Sequence, residues 1–235
     1  MLETPKQITR RPNLSSQVYD SIRESIVTGV FRGGTRLIVD KLATQLGVSP
    51  TPVREALARL EQEGIVEEAG PGRLRIVRLT ERYVLDTYWV RAALEGLAAE
   101  LAATRLQPDD LVALRRLSDA ASASIAAGNG RGYATADQEI HRLIIATAAN
   151  PVLARDLEML QSHIGYIRDY SHKHPGQHLA EASTEHGPII EALTAGDATL
   201  SRTLMELHIR KSAERISHLV SDIDPAAETA PRQTA

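Results

Sequence analysis

The chain has 235 residues, a length that fits one large or two modest domains. It contains 43% hydrophobic and 24% charged residues and no cysteine, which excludes disulfides, thiolate metal sites and cysteine nucleophiles. No apolar run is long enough to cross a membrane, and the first residues lack the apolar core of a signal peptide. We therefore expect no membrane partner and a cytoplasmic location.

The charges and the histidines are distributed unevenly along the chain. Residues 1–78 contain 12 lysines and arginines against 9 acidic residues, whereas the remainder is net acidic. A positive balance favours contact with a phosphate backbone, although a difference this small also arises by chance. All eight histidines lie beyond residue 140, so any chemistry that uses histidine belongs to the second half.

The first elements are an arm and a helix. Residues 1–12 are polar and contain two prolines, and we expect a mobile arm there. A first helix is predicted from Ser15 to Thr28, because Val18 and Ile22 lie on one face with the apolar residues a turn away.

Two short helices joined by a tight turn are predicted next, within residues 39–60. Apolar residues recur at i, i+3, i+4 and i+7 in each helix, and Gly47 stands where a helix end requires a positive φ. Thr51 is expected to cap the second helix, with Pro52 in its first turn. A short helix, a turn containing glycine and a second helix form the helix-turn-helix arrangement that reads DNA.

Two short strands are predicted after the second helix, at residues 65–68 and 74–77, and the turn between them contains two glycines and a proline. The pattern over residues 13–78 therefore predicts a winged helix-turn-helix DNA-binding domain. The partner that this predicts is double-stranded operator DNA.

A recognition helix contacts base edges with its N-terminal residues. Arg54 is the best candidate for a bidentate contact to guanine, and its alternative role is a solvated surface charge. Arg59 is expected to contact phosphate or to pair with Glu55 at i, i+4. The predicted DNA-contacting residues are Ser49, Thr51, Pro52, Arg54, Arg59 and, in the wing, Gly72 and Arg73.

The rest of the chain is predicted to be helical, so the fold class is mainly α. Residues 79–221 should form an all-α antiparallel bundle of about six helices, large enough to bury its own core. Proline, glycine and asparagine mark the breaks between helices at about 80–104, 108–127, 130–149, 151–172, 178–195 and 197–221. Residues 222–235 lack apolar spacing and are expected to be a disordered tail.

Asp137 and His141 are candidate metal ligands in this bundle. Their i, i+4 spacing lets both side chains face one metal ion, or form an ordinary Asp–His hydrogen bond. His186 and His208 each lie among apolar residues, and a buried histidine needs a polar partner. Such residues on facing helices build metal sites in bundles.

The first part of the chain resembles a known family. Residues 47–57, followed by Leu60-Glu-x-Glu-Gly64, are similar to the winged helix of GntR-family bacterial transcription regulators. Two positions depart from the family pattern. Pro50 replaces an arginine that commonly contacts DNA, and Asp40 stands where relatives often carry arginine. The family's usual operator sequence is therefore not carried over to this chain.

The second part resembles the FCD-type effector domain of the FadR subfamily over nearly all of residues 80–220. The matching landmarks are Arg91-x-x-Leu94-Glu95, Asp137-x-x-x-His141, Asn150-Pro151, Glu185-His186 and His208. The resemblance implies a divalent-metal site of Asp137, His141, His186 and His208.

One carboxylate and three imidazoles suit zinc, nickel or manganese, and ligand type alone does not choose among them. Four ligands could close a tetrahedral structural site, whereas the resemblance favours an ion with open positions for an effector carboxylate. Arg91 is then a candidate to bind a small carboxylate-containing effector, and its alternative role is a salt bridge with Glu95. The other histidines, His163, His172, His174, His178 and His218, are predicted at the surface or at helix ends.

Together these features predict a ligand-responsive transcription regulator, a repressor rather than an enzyme, that acts as a homodimer on two operator half-sites. Two alternatives stay open at this point. One is a metal-dependent hydrolase built on a helical bundle, for which no general base is evident. The other is a DNA-binding protein whose histidines are purely structural.

Overall fold

The computed structural model describes residues 14–173 and 177–223. The predicted arm, residues 1–12, and the tail from residue 224 lie outside the described residues, as do the side chains of His172, His174 and His178. The fold is mainly α, as predicted. The chain divides into two compact units, and the boundary lies between Arg78 and Leu79. We call them the winged unit and the helical unit.

The winged unit contains three helices and a small antiparallel sheet. The helices are α1 (Leu14–Val27), α2 (Val39–Leu46) and α3 (Pro50–Gln62), and the strands are β1 (Arg36–Leu37), β2 (Val66–Glu68) and β3 (Leu74–Ile76). The strand order is β1-β3-β2, with Leu37 opposite Leu74 and Val66 opposite Ile76. The predicted hairpin is present, but the sequence did not reveal β1, because a strand of two residues has no detectable periodicity.

Apolar burial fixes α3 in the winged unit. The buried face of α1 includes Ile22 and Ile26, and α3 packs against it with Val53, Leu57 and Leu60, which have no exposed surface. Burying one such side chain stabilises a fold by about 1.5–3 kcal/mol. Because this face of α3 is committed to the core, the opposite face is left to solvent.

The turn between α2 and α3 depends on a glycine. Gly47 adopts φ 67°, the left-handed conformation that side chains disfavour, and the Val48 N–H donates to the Ala43 carbonyl at 3.0 Å. This arrangement ends α2 as predicted and directs the chain into α3.

The helical unit consists of α4 (Glu81–Ala103), α5 (Pro108–Ala126), α6 (Gly130–Thr147), α7 (Pro151–Lys173), α8 (Gln177–Thr194) and α9 (Ala198–Ile223). Local signals set several of these boundaries. The Thr80 hydroxyl accepts from the Tyr83 N–H at 3.1 Å, the Asn129 side chain accepts from the Gly132 N–H at 2.9 Å, and Pro108 occupies the first turn of α5. Helix α9 continues two residues into the segment that we predicted to be disordered.

Helix α4 lies at the centre of the helical unit. It contacts α6, α7, α8 and most extensively α9. Its alanines Ala92, Ala98, Ala99 and Ala102 are completely buried, and such small side chains let neighbouring helices approach closely. Within residues 14–173 and 177–223, none of the helices has the length and apolar character needed to cross a bilayer.

Candidate functional site

Helix α3 starts two residues earlier than the sequence predicted. Ser49, with φ −72° and ψ 161°, is the N-cap residue and Pro50 is the first helical residue, so Thr51 is not the cap. Proline suits this position because its φ is already helical and its missing N–H would have no partner there. Pro50, the departure from the family pattern, therefore starts the recognition helix.

Five of the predicted DNA-contacting residues have exposed side chains: Ser49, Thr51, Arg54, Arg59 and Arg73. Arg54 makes no hydrogen bond or ion pair with any residue that the structure describes. Pro52 is buried, because it lies on the same face of α3 as the core residue Val53. Its side chain therefore offers little surface for the predicted DNA contact.

The exposed Arg59 side chain makes two contacts with other residues of the winged unit. Its Nε donates to Glu63 Oε1 at 3.0 Å, and its guanidinium lies 3.7 Å from the centre of the Tyr19 ring. The Tyr19 hydroxyl donates to Glu63 Oε2 at 2.6 Å, and burial followed by this bond raises the pKa of Tyr19 to about 12. The predicted pairing with Glu55 is wrong, because Glu63 in the next turn has a second partner on α1 that fixes it.

The wing is a tight turn between β2 and β3. Gly72 adopts φ 65°, and its N–H donates to Glu68 Oε1 at 2.7 Å. The Ala69 N–H donates to the Arg73 carbonyl at 2.8 Å. These bonds close the turn, so the exposed Arg73 side chain projects from a fixed backbone.

The four predicted metal ligands come together in the helical unit. Asp137 and His141 lie on α6, His186 on α8 and His208 on α9, and one ligand atom from each lies within 4.8 Å of all the others. The three histidines are between 0% and 5% exposed. We call these residues the four-residue cluster.

His186 has no exposed surface and no hydrogen-bond partner for either ring nitrogen among the described residues. Its Nε2 lies 3.3 Å from Asp137 Oδ1, but without the geometry of a hydrogen bond. A buried polar side chain without a partner is destabilising, so it points to a ligand that completes the site.

Asp137 and His141 do not form the simple hydrogen bond that was the alternative to metal binding. The His141 Nε2 and Asp137 Oδ1 atoms are 3.7 Å apart, too far for such a bond. Burial raises the pKa of Asp137, but His141 and His186 outweigh this effect and hold the pKa well below its ordinary value. Asp137 is therefore an ionised carboxylate beside the imidazoles.

Two outer carboxylates orient two of the histidines. Glu95 bonds to the Nδ1 atom of His141, and Glu185 Oε2 bonds to His208 Nδ1 at 2.8 Å. Since an ionised carboxylate only accepts, each Nδ1 carries the proton and each Nε2 is directed inward. The two Nε2 atoms are 3.3 Å apart. Two nitrogen lone pairs at this distance need a cation between them, either a proton or a metal ion.

Two arginines keep the outer carboxylates ionised. Arg91 Nε donates to Glu95 Oε1 at 2.6 Å, and Arg215 donates two bonds to Glu185 at 2.9 and 3.1 Å. Burial raises the pKa of Glu95, but Arg91 and His141 lower it to about 2. Burial likewise raises the pKa of Glu185, and His208 and Arg215 bring it down to about 2.

The histidine pKa values show the same competition between burial and charge. Burial lowers the pKa of His141, but Glu95 and Asp137 outweigh burial and raise it to about 9. Burial lowers the pKa of His208 to about 4, although its bond to Glu185 opposes the shift. The carboxylates beside His141 thus favour a positive charge there, which a bound divalent metal would also supply.

A cavity of about 40 Å³, which we call the inner cavity, opens beside the four-residue cluster. Asp137, His141 and His208 contribute to its wall, together with Arg91, Arg168 and Arg215. The predicted alternative for Arg91, a salt bridge with Glu95, is therefore present, and the same side chain also lines this cavity. Three guanidinium groups around a small cavity favour an anion there.

Sequence reasoning missed the roles of Glu95, Glu185 and Arg215. Glu185 was known only as a landmark, and Glu95 as a landmark and as the alternative partner of Arg91. Nothing in their spacing shows that each bonds to a histidine on another helix. His163 is also different from its prediction as a surface residue, because it is half-buried and bonds to the Tyr83 hydroxyl. His218 is exposed.

The donor set of the cluster fits a divalent transition metal. Three imidazoles and one carboxylate are ordinary ligands of such ions, two imidazoles are oriented by outer carboxylates, and His186 has no other partner. A winged helix-turn-helix joined to a separate helical unit is typical of DNA-binding transcription regulators that carry a second domain.

The comparisons with known proteins identify the family. The chain matches the family model for bacterial regulatory proteins of the gntR family over residues 14–76, and the FCD domain model over residues 86–211. The chain therefore belongs to the GntR family of transcription regulators and carries an FCD domain. Members of this family are regulators and not enzymes, which confirms that prediction and removes the hydrolase alternative.

Individual relatives agree with this assignment. A protein of Paenarthrobacter nicotinovorans named "Probable D-xylose utilization operon transcriptional repressor" is 30% identical over 96% of this chain and 98% of its own. The Bacillus subtilis HTH-type transcriptional regulator YdhC is 26% identical over 88% of this chain and 92% of its own. The solved structure of E. coli McbR/YncC is similar with a TM-score of 0.68 and 25% identity, covering 89% of this chain and 99% of its own.

Proposed function

We propose that the protein is a cytoplasmic, ligand-responsive repressor that senses a small organic acid at a metal centre in its helical unit. The observation that carries this proposal is the four-residue cluster, in which His186 is buried without a hydrogen-bond partner among the described residues. A protein with purely structural histidines would be expected to satisfy that ring, so this alternative is the less favoured one.

Asp137, His141, His186 and His208 would hold the metal, and these ligand types suit zinc, nickel or manganese. The bound ion would supply a Lewis-acidic position for an oxygen ligand. Glu95 and Glu185 fix the rings of His141 and His208, so the ligand atoms are arranged before the metal arrives.

The effector in this proposal is a small carboxylate. Arg91 and Arg215 line the inner cavity beside the cluster, but each already bonds to a glutamate. They therefore contribute a positive potential to the cavity, which attracts and orients an acid group that enters it. To release DNA, the acid must bind one arrangement of the protein more tightly than the other.

The operator contacts would come from the exposed surface of the winged unit. Arg54 is proposed to read a base edge, Ser49 and Thr51 to contact a phosphate or base edge, and Arg73 with Gly72 to approach the groove beside the wing. Arg59 is proposed only as a phosphate contact at the edge of this surface, because Glu63 and Tyr19 already engage its guanidinium. Repression, rather than activation, is supported by the name of the P. nicotinovorans relative.

A second copy of the chain is proposed to cover an apolar surface on α4 and α9. Trp89 and Val90 on α4, and Leu200 and Leu207 on α9, are large apolar side chains that are between 45% and 55% exposed, and the two helices are packed together. Two-fold pairing would supply two recognition helices for two half-sites. Sedimentation velocity should find a dimer that Val90→Glu weakens, whereas Val112→Glu on α5 should not.

One experiment tests the central proposal in the full chain. Metal content is measured by inductively coupled plasma mass spectrometry in the wild type and in His141→Ala, and binding to a DNA fragment from upstream of the gene is measured for both. We expect about one ion per chain in the wild type and a loss of that ion in His141→Ala. A preparation without metal, whose thermal stability neither chelator nor added zinc changes, would refute the metal centre.

A further inference from the structure

The solvent side of α3 carries a carboxylate that takes part in none of the contacts described above. The core of the winged unit covers one side of this helix. At about 3.6 residues per turn, four residues lie together on the other side with exposed side chains: Thr51, Arg54, Glu55 and Ala58. We call them the exposed α3 face. Three of the four belong to the first two turns, the part of a recognition helix that contacts base edges.

Glu55 has no partner on this face. It makes no hydrogen bond or ion pair with any residue that the structure describes. Arg59, the cation one turn further along, is engaged by Glu63 and by the Tyr19 ring. Arg54 is the neighbour of Glu55 in the chain and is likewise unpaired within the described residues. The exposed α3 face therefore presents an uncommitted carboxylate to the major groove.

An uncommitted carboxylate weakens the binding of any DNA, because it is repelled by the phosphates and loses water as the helix enters the groove. A hydrogen bond donated by a base offsets this loss. The donors in the major groove are the amino groups of cytosine and adenine. Cytosine N4 suits a carboxylate, whereas adenine N6 lies beside the N7 acceptor and suits an amide.

We infer that Glu55 is a specificity-determining residue that accepts a hydrogen bond from the 4-amino group of a cytosine in each operator half-site. Thymine and guanine are rejected at this position, because their groove edges present oxygen or nitrogen acceptors that repel a carboxylate. This inference rests on the operator contacts of α3 in the proposed function. It adds to them a second base-reading residue beside Arg54, and the base that this residue reads.

Selection of binding sites from random duplex DNA by the full chain tests this inference. The wild type should prefer cytosine at one position of each half-site by about tenfold, the discrimination that one good base contact provides. Glu55→Ala should lose this preference and keep the preferences at the other positions. The substitution lies at an exposed helical position, so the fold should be retained.

Glu61→Ala is the matched control. Glu61 is also an exposed glutamate of α3, but it lies in the last turn, away from the residues that contact bases. Each variant removes one negative charge from the helix, so both should bind non-specific DNA more tightly than the wild type. Only Glu55→Ala should change the selected sequence.

A change in the DNA tests the hydrogen bond itself. In a duplex that carries the selected site, the cytosine is replaced by 2-pyrimidinone, which lacks the 4-amino group. Fluorescence anisotropy at fixed salt should show about tenfold weaker binding by the wild type, and the same affinity for both duplexes in Glu55→Ala.

The outcomes separate this inference from the proposal on which it rests. If Glu55→Ala selects the same sequence as the wild type, or if both lose equal affinity on the modified duplex, Glu55 does not read a base and the inference is overturned. A changed selection in Arg54→Ala would then still support the proposed operator contacts. If neither Arg54→Ala nor Glu55→Ala changes the selected sequence, the operator is read elsewhere and those contacts fail as well.

Discussion

In the winged unit, the candidate DNA-contacting side chains of Ser49, Thr51 and Arg54 are exposed, and Arg54 has no partner among the described residues. In the helical unit, His141, His186 and His208 are almost completely buried, and carboxylates orient two of them. The candidate DNA-contacting surface is therefore open to a large ligand, whereas the four-residue cluster surrounds a position inside the helical unit.

This difference in burial predicts a difference in the size of mutational effects. An exposed side chain that makes one contact with DNA contributes that contact and little else, because water replaces it when it is removed. A buried metal centre depends on every member of the cluster, since each one supplies a ligand to the ion. The largest effects should therefore occur in the helical unit.

The largest effect is expected for His186→Leu. The ring has no hydrogen-bond partner in the described part of the chain, so leucine, which is similar in size, should leave the metal-free fold as stable or make it more stable. The same change removes one of four metal ligands, and we expect no metal to remain after dialysis. Mass spectrometry of metals and thermal unfolding with chelator measure the two effects.

His218→Leu is the control for this change, because His218 is exposed on α9 and lies outside the cluster. It should retain the metal of the wild type. Full metal content in His186→Leu would mean that the ion is held by other residues. A severely destabilised metal-free His186→Leu would instead favour a structural role for the ring.

The next largest effect is expected at the outer carboxylates. Glu185→Gln leaves His208 without a charged partner, and such changes around a metal ligand typically lower metal affinity by about 10–100-fold. Glu95→Gln should do the same through His141 and should also destabilise the fold, because it leaves the buried Arg91 guanidinium uncompensated. Competition with a chromophoric chelator measures the affinities.

Glu139→Gln is the matched control, since Glu139 lies on α6 and pairs only with the exposed Arg142 in the contacts that the structure describes. Its metal affinity should equal that of the wild type. Equal affinities in Glu95→Gln, Glu185→Gln and Glu139→Gln would show that orientation of the rings by the outer carboxylates has no effect on metal binding.

The sequence predicted the elements of both units more fully than the contacts within the sites. Helix periodicity and the signals at Gly47, Pro108 and Pro151 are local, so they were readable along the chain. The bond between Glu95 and His141 joins residues 46 positions apart, and no local pattern specifies it. The four cluster residues were identified through a family resemblance, since the spacing of Asp137 and His141 alone favoured a simple Asp–His hydrogen bond.

In the winged unit, the sequence did not predict the correct partner of Arg59, because two glutamates lie at the same spacing from it. Arg59 has glutamates one turn away in both directions, and the spacing rule does not choose between Glu55 and Glu63. The choice depends on Tyr19 on α1, which already holds Glu63. The predicted cap of α3 was wrong for a related reason. Both Ser49 and Thr51 precede a proline, and either residue type can cap a helix.

A smaller effect than in the helical unit is expected for Arg54→Ala. Loss of a bidentate base contact should weaken specific operator binding by about 1–3 kcal/mol and leave the free energy of unfolding unchanged, because the side chain is exposed. Fluorescence anisotropy at fixed salt measures the affinity. Arg54→Lys keeps the charge but lacks the planar fork, so it should lose most of the same specificity.

Arg115→Ala, at an exposed position on α5, removes the same charge from the helical unit and should leave operator affinity unchanged. If Arg54→Lys bound the operator as the wild type does, Arg54 would be a phosphate contact, since a phosphate accepts either cation. Unchanged affinity in Arg54→Ala would remove it from the DNA-contacting surface altogether.

The smallest effect is expected for Tyr19→Phe, which tests whether burial alone explains the contrast between the two units. The change removes one hydrogen bond, to Glu63, and should lower the free energy of unfolding by about 1 kcal/mol. Operator affinity should not change, because Arg59 keeps both its bond to Glu63 and its stacking on the ring. Combining Tyr19→Phe with Glu63→Gln in a double-mutant cycle isolates the coupling between the two side chains. A coupling near zero would mean that the Tyr19–Glu63 bond exchanges freely with water, and that the partly buried contacts of the winged unit behave like its exposed ones.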